Sequence, residues 1–249
     1  MVTFGIDLGT TFSAIAYQPE TGSPVTLPLE GSEVTIPSAV LFRPGRQIVV
    51  GKSALAESWQ EGTKLVQFAK REIGLKGNQT WDYEDWTYHP EDISALVLRK
   101  IRDTVGSSPP GPVRDVVVSH PQYFWISQKD ATKEACRLAG LNPVATISEP
   151  NAAAVSWGAY RPGGGPPSTV MVFDLGGGTF DVSIVRVSDR TFEFLANGGD
   201  ARFGGVDWDE VLIDLARDEV RTLGDELDEI CEPEQKVQLQ LKAAEVKIN

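Results

Sequence analysis

Cysteine is nearly absent from this chain: Cys136 and Cys231 are the two in 249 residues, far apart and without a CxxC neighbour. That excludes a disulfide framework and a zinc cluster, and it suits a reducing compartment. Basic residues are also in short supply, 23 Lys and Arg against 35 Asp and Glu, for a net charge of -12. Nucleic acid and anionic membrane surfaces both demand Lys/Arg patches, so neither is expected as a partner. The acidic balance reads as solubility. No apolar run is long enough to span a bilayer, and the first residues lack the basic and apolar regions of a signal peptide. A cytoplasmic location is the expectation. The length suits one large or two modest domains with a substantial core.

What the chain does contain is a repeated turn. Ile6-Asp7-Leu8-Gly9-Thr10-Thr11-Phe12 near the start is matched by Phe173-Asp174-Leu175-Gly176-Gly177-Gly178-Thr179-Phe180. Each follows an apolar β-type run, ends that run on Asp, and passes through glycine to Thr and an aromatic before a second run. Glycine lets backbone N–H groups approach an anion, and successive N–H groups in a tight turn make an anion nest. Two such turns facing each other would grip a polyphosphate. Asp7 and Asp174 would then manage a hard cation such as Mg²⁺, which keeps several waters and takes few direct protein ligands.

Elsewhere, short β runs at 3–6, 13–17, 25–29, 40–42 and 48–50 are punctuated by Pro19, Gly22, Pro44 and Gly45. Helical spacing of Ile93, Leu96, Val97, Ile101 and Val105 predicts an amphipathic helix over 90–105, closed by the Ser/Pro/Gly run 107–112. A valine-rich strand over 115–119 follows. Ser127 with Asp130 reads as the start of a helix that ends at Gly140. A strand is expected over 145–148, a helix after Pro150, a glycine-proline linker over 161–167 and two strands ending near Ala196. Helices are expected from about Val206 to Arg221 and from Pro233, the latter with Val237, Leu241, Ala244 and Ile248 on one stripe. That last helix stops at Asn249 without a cap, which reads as a cut.

Two nucleotide motifs fail. Gly51-Lys52-Ser53 lacks the glycine a Walker loop needs, because Arg46 holds that position. Gly176-Gly177-Gly178 leads into a strand-like run rather than a helix, against a dinucleotide fingerprint.

The two turns resemble the phosphate loops of the seventy-kilodalton heat-shock (DnaK-like) chaperone family. Between and after them, in the family's order, lie Ala69-Lys70-Arg71-Glu72-Ile73-Gly74, Pro121-Gln122-Tyr123-Phe124, Ser127 to Lys133, Ala139-Gly140-Leu141-Asn142, Glu149-Pro150-Asn151-Ala152-Ala153-Ala154, Gly198-Gly199-Asp200 and Gly204-Gly205-Val206-Asp207. The resemblance covers nearly the whole chain. It implies an α/β actin-like (ribonuclease-H-like) ATPase fold, with two lobes of duplicated mixed sheets flanked by helices. Lobe I would be 1–163, with a core of 1–36 and 113–163 and an inserted subdomain 37–112. An incomplete lobe II would be 164–249, with a core of 168–203 and the start of a second subdomain at 204–249.

By the same resemblance the cofactors are ATP/ADP and Mg²⁺. Gly9, Thr10, Thr11, Phe12, Gly176, Gly177, Gly178, Thr179, Gly204 and Gly205 would hold the nucleotide. Asp7 and Asp174 would bind the metal through water, Lys70 would reach the γ-phosphate, and Glu149 would sense the metal shell. Thr179 and Asp181 would flank the attacking water. Implied partners are a J-domain co-chaperone, a nucleotide exchange factor and unfolded peptides, the last through a domain beyond this sequence.

The chain departs from the family pattern at His120 before Pro121, at Trp125-Ile126 after Phe124, and at Lys129 where Arg is usual. In the family the residues at the positions of Pro121 and Lys129 relay nucleotide state to the peptide-binding domain, so the resemblance implies a relay that departs from the usual pattern at Lys129. A lone histidine such as His120 reads as a hydrogen-bonded or surface residue. Weak nucleotide affinity and an exposed apolar stripe on the last helix are expected of a chain ending here. A metabolite kinase of the same fold and a non-hydrolysing ATP-dependent scaffold are the competing readings.

Overall fold

The computed structural model describes residues 2–77, 79–106, 111–159, 166–188, 191–223, 227 and 231–248. Its elements run β1 (Thr3–Leu8), β2 (Phe12–Tyr17), β3 (Val25–Thr26), β4 (Thr35–Pro37), β5 (Val40–Arg43), β6 (Gln47–Val50), α1 (Lys52–Ala56) and β7 (Lys64–Val66). A 3₁₀ turn (Ala69–Glu72) follows, then β8 (Trp81–Tyr83), β9 (Trp86–Tyr88), α2 (Pro90–Val105), β10 (Asp115–His120), α3 (Ile126–Leu138), β11 (Asn142–Ser148) and α4 (Glu149–Ala159). The rest is β12 (Ser168–Leu175), β13 (Phe180–Ser188), β14 (Thr191–Asp200), α5 (Gly205–Thr222) and α6 (Pro233–Ile248).

A six-stranded mixed sheet dominates the first part, in the order β11-β10-β1-β2-β3 with β4 also on β2. β1 lies parallel to β10 and antiparallel to β2. Alternation along β1 buries Phe4, Ile6 and Leu8 and leaves Thr3, Gly5 and Asp7 on the opposite face. The buried face joins Val116 and Val118 of β10 in a core shared with Ile93, Val97 and Ile101 of α2 and with Ala135 and Cys136 of α3. That burial pushes the Cys136 thiol up to about 12, so it packs as a small hydrophobe. The other face, carrying Asp7, stays open.

A second, three-stranded antiparallel sheet orders β12-β13-β14. α4 packs on it: Ala154 is buried with Val185 and Val187. A Cβ at Gly158 would come within 2.7 Å of the Phe192 ring, so glycine permits this close approach. On another side of α4, Ala152, Ala153 and Ser156 line a cavity shared with β1, β2 and β10. The helix is thin because its residues are small, and it spaces the two sheets.

The helix expected over 90–105 is α2, started by Pro90 and by the Asp92 carboxylate accepting the His89 N–H at 2.9 Å. α3 begins earlier than the Ser127–Asp130 pair implied. Gln128 Oε1 accepts the Trp125 N–H at 3.1 Å, so Trp125 caps the helix and Ser127 lies inside it. Gly140, with φ +77°, takes the left-handed position beyond its end. The run 25–29 yields a strand at Val25–Thr26 alone. Residues 107–110 and 161–165, within the expected breaks, lie outside the described residues.

The stripe on the last helix is not exposed as expected. Leu241 and Ala244 line a small apolar cavity with Val206 and Ile213 of α5, and Val237 is half-buried. Lys247 clasps α5 through Asp209 at 2.6 Å and the Gly205 carbonyl at 2.7 Å. Among the described residues, no helix is long and apolar enough to cross a membrane.

Candidate functional site

Both repeated turns are hairpin loops, and they meet. Leu8 pairs with Ser13 across the first and Leu175 with Phe180 across the second, so each loop holds the same number of residues. The second sequence has one residue more before its aromatic, so the repeats slip relative to one another. Phe12 closes the first loop, Thr179 the second, and Phe180 already pairs in the strand. The same slip sets Ala14 opposite Asp7 but Asp181 opposite Asp174.

Glycine is required where the loops touch. A Cβ at Gly177 would enter the Thr11 side chain, and one at Gly178 would lie 2.7 Å from Thr10. At Gly9 the obstacle is the Phe12 carbonyl of its own loop. The first loop is fixed from within: Gly9 N–H donates to Ser13 Oγ at 3.2 Å, and Ser38 Oγ donates to the Gly9 carbonyl at 2.8 Å. The second is fixed from behind. Gly205 and Val206 N–H groups, at the start of α5, donate to the Gly176 and Gly177 carbonyls at 2.9 Å each. Arg71 donates to the Gly178 carbonyl through Nε and Nη2 at 3.2 and 3.1 Å, and Arg71 Nη2 also pairs with Asp207.

A cavity of about 620 Å³ opens between the loops. Asp7, Gly9, Thr10, Thr11, Phe12, Lys70, Glu149, Asp174, Gly176, Gly177 and Thr179 all line it, so most of the residues singled out in the sequence converge. Lys70 projects from the 3₁₀ turn, is 5% exposed, and contacts Glu149 Oε1 at 2.5 Å. Glu149 opens α4, where the helix N-terminus favours a carboxylate. Burial nevertheless holds its carboxyl above the usual range, against the pull of Lys70. Asp174 is also pushed up, by burial and then by the charge of Asp7. Asp7 accepts from Ser119 Oγ at 2.6 Å.

Carboxylates close enough to repel form a site that a divalent cation would neutralise, and Asp7 with Asp174 fits one. Among the described residues no cluster of three or more acidic, His or Cys groups gathers. An ion here would therefore draw most of its ligands from water and phosphate oxygens.

Four expected residues stand elsewhere. Gly178 is buried against Thr10. Asp181 is 1% exposed and accepts the Gln122 N–H at 3.2 Å, and burial raises its carboxyl, with Asp174 adding to the effect. Gly204 and Gly205 do not line the cavity. Their N–H groups donate to Asp207 Oδ2 and to the Gly176 carbonyl, so they brace the second loop. Gly51-Lys52-Ser53 is also no phosphate loop, since Glu30 already accepts the Lys52 N–H at 3.1 Å. His120 is buried, and its ring Nδ1–H donates to the Pro121 carbonyl at 2.7 Å. Burial pulls its pKa down, and Lys129, Lys70 and Lys133 add to the effect.

Sequence reasoning missed Ser119, Asp207 and the role of Arg71. The signal for Arg71 was its place beside Lys70. For Ser119 and Asp207 only the tertiary structure reveals a partner.

A family model described as Hsp70 protein matches residues 3–249. Chaperone protein DnaK of Thermotoga neapolitana is 38% identical over 218 residues, which is 87% of this chain and 36% of that protein. The proteins of the same name from Thermotoga petrophila and Thermotoga maritima match with the same identity and coverage. The chain thus spans about 36% of the length of these curated relatives. With the facing glycine loops, the paired carboxylates and a family match from end to end, this chain belongs to the Hsp70 family and has its actin-like ATPase fold.

Proposed function

We propose that this chain is the ATP-binding and ATP-hydrolysing part of a cytoplasmic molecular chaperone. The observation that carries the reading is the convergence of two glycine loops, Asp7, Asp174, Lys70 and Glu149 on one cavity. The relatives' name, Chaperone protein DnaK, supports it. On this reading residues 1–163 and 164–249 are the two lobes, and unfolded peptides, a J-domain co-chaperone and an exchange factor engage the longer protein.

The loops bind the phosphates of ATP or ADP through their backbone N–H groups and the hydroxyls of Thr10, Thr11 and Thr179. Asp7 and Asp174 would hold a hydrated Mg²⁺, which would supply neutralisation of phosphate charge. Lys70 has little water around it, so its ammonium trades Glu149 for the terminal phosphate at small desolvation cost. Glu149, with its carboxyl pushed up by burial, lines the same cavity as Asp7 and Asp174 and would sense the metal shell from there. Thr179 would flank the attacking water from the cavity wall, and Asp181, buried behind Asp174, would act on that water through the Thr179 hydroxyl. Phosphoryl transfer is mostly positioning and charge stabilisation, so these groups suffice.

The test is phosphate release with ATP alone. Lys70→Ala should leave nucleotide bound and cut single-turnover hydrolysis at least tenfold, about 1.4 kcal/mol of transition-state stabilisation. An unchanged rate removes Lys70 from the mechanism. Release that depends on a small-molecule hydroxyl acceptor makes the protein a kinase, and no turnover makes it a scaffold.

A further inference from the structure

Peptide planarity gives Arg71 a consequence beyond bracing. In a trans peptide unit the C=O and the following N–H point in opposite directions. The carbonyls of Gly176, Gly177 and Gly178 are all engaged from behind, by Gly205 N–H, Val206 N–H and the Arg71 guanidinium. Pinning those three carbonyls aims the N–H groups of Gly177, Gly178 and Thr179 the other way, forming the nest that an anion needs. Two of the three pins come from α5, which follows the second sheet in the chain. The third comes from the 3₁₀ turn in the first part of the molecule.

That turn is firmly set. Phe68 holds a left-handed backbone with φ 59°, Ile73 is fully buried, and the Gly74 N–H donates to Glu91 Oε1 at 3.0 Å. Arg71 also pairs with Asp207, whose Oδ2 accepts the Gly204 N–H at 2.7 Å, so one guanidinium grips both the loop and the start of α5.

We propose that Arg71 is a positioning residue, which orients the Gly178–Thr179 peptide toward a bound triphosphate and makes the second loop competent only while the two parts of the molecule are in contact. This rests on the ATPase reading above. Arg71 touches no phosphate in this account. It acts through the peptide it turns, and through Lys70 beside it on the same rigid turn.

The experiment uses Arg71→Ala and Arg71→Lys in the full chain, with two readouts. The first, without nucleotide, is amide hydrogen exchange at Gly176, Gly205 and Val206, with Gly9 as the internal reference. The second is affinity for a non-hydrolysable ATP analogue with Mg²⁺. Arg71→Ala should speed exchange at Gly176, Gly205 and Val206 at least tenfold, leave Gly9 unchanged, and weaken analogue binding about tenfold. Arg71→Lys, a single-point donor without the planar fork, should fall short of rescue on both. Equal acceleration at Gly9 would mean general loosening and overturn the proposal, as would unchanged exchange at the second loop. If Arg71→Ala does not fold, the Lys variant decides by the same criteria. Failure of the unaltered protein to bind the analogue would instead sink the ATPase reading, leaving the exchange result to judge Arg71.

Discussion

The two glycine loops have the same length and both follow an Asp-Leu pair, yet they are held by opposite means. The β1–β2 loop is closed by its own neighbourhood, through Ser13, Ser38 and a strand whose Phe4, Ile6 and Leu8 anchor the main core. The β12–β13 loop borrows its rigidity from α5 and from Arg71, and Met171, Phe173 and Leu175 on the outer face of β12 stay exposed. Asp7 accepts a hydroxyl hydrogen bond from Ser119, whereas Asp174 faces another carboxylate, Asp181, across the hairpin. A glycine loop is therefore an anion site only together with whatever fixes its carbonyls. One loop here is preformed, and the other is conditional.

The comparison breaks most completely at the paired acids. Asp7→Lys or Asp174→Lys should abolish Mg²⁺-dependent nucleotide binding, seen by titration calorimetry with and without the metal. Retained binding in either would mean that the two carboxylates do not share an ion.

Glycine substitutions sharpen the contrast. Gly177→Ala should weaken triphosphate binding at least tenfold, about 1.4 kcal/mol. Adding Thr11→Ala should recover part of the loss, because the obstacle is a side chain of the other loop, while the Thr11 hydroxyl is given up. Gly9→Ala meets backbone of its own loop, so no trimming should rescue it. Gly198→Ala, with nothing within 4 Å, serves as a silent control.

Smaller still is the effect of Asp181→Asn. The Asp181 carboxyl is raised by burial, so between the ordinary Asp value of about 3.9 and that raised value the folded state holds the extra proton. Stability therefore falls as pH rises through that window, and the cost persists at neutral pH. Asparagine keeps an acceptor for Gln122 N–H without the charge. Calorimetry at pH 7 should show Tm higher by about 2–4 °C, the shift that roughly 1 kcal/mol makes in a chain of this size. The gain should shrink toward pH 4, and a gain independent of pH would contradict the assignment. An effect of similar size is expected from Ser119→Ala, about 1 kcal/mol or roughly fivefold in metal affinity, through loss of the hydrogen bond on Asp7.

Much of the site was legible because its chemistry is local. An Asp before a glycine turn declares itself, as does a helix with Ile93, Val97 and Ile101 in step. What stayed hidden depends on register and on distant partners. The second repeat carries one more residue before its aromatic, and the strand pairing absorbs it and thereby sets Asp181 opposite Asp174. That Gly204 and Gly205 donate to Asp207 and Gly176, behind the second loop, could not be read from their sequence. The last helix read as exposed because its partner α5 could not be inferred from its own pattern.

The slenderness of α4 has a mechanical meaning. Methyl and hydroxymethyl groups at Ala152, Ala153 and Ser156 face the phosphate cavity while Ala154 rests on the second sheet, and Glu149 sits at its tip. The helix is thus the feeler gauge of the slot. Its thickness fixes how far apart the walls stand, with the carboxylate beside Lys70 carried at its end.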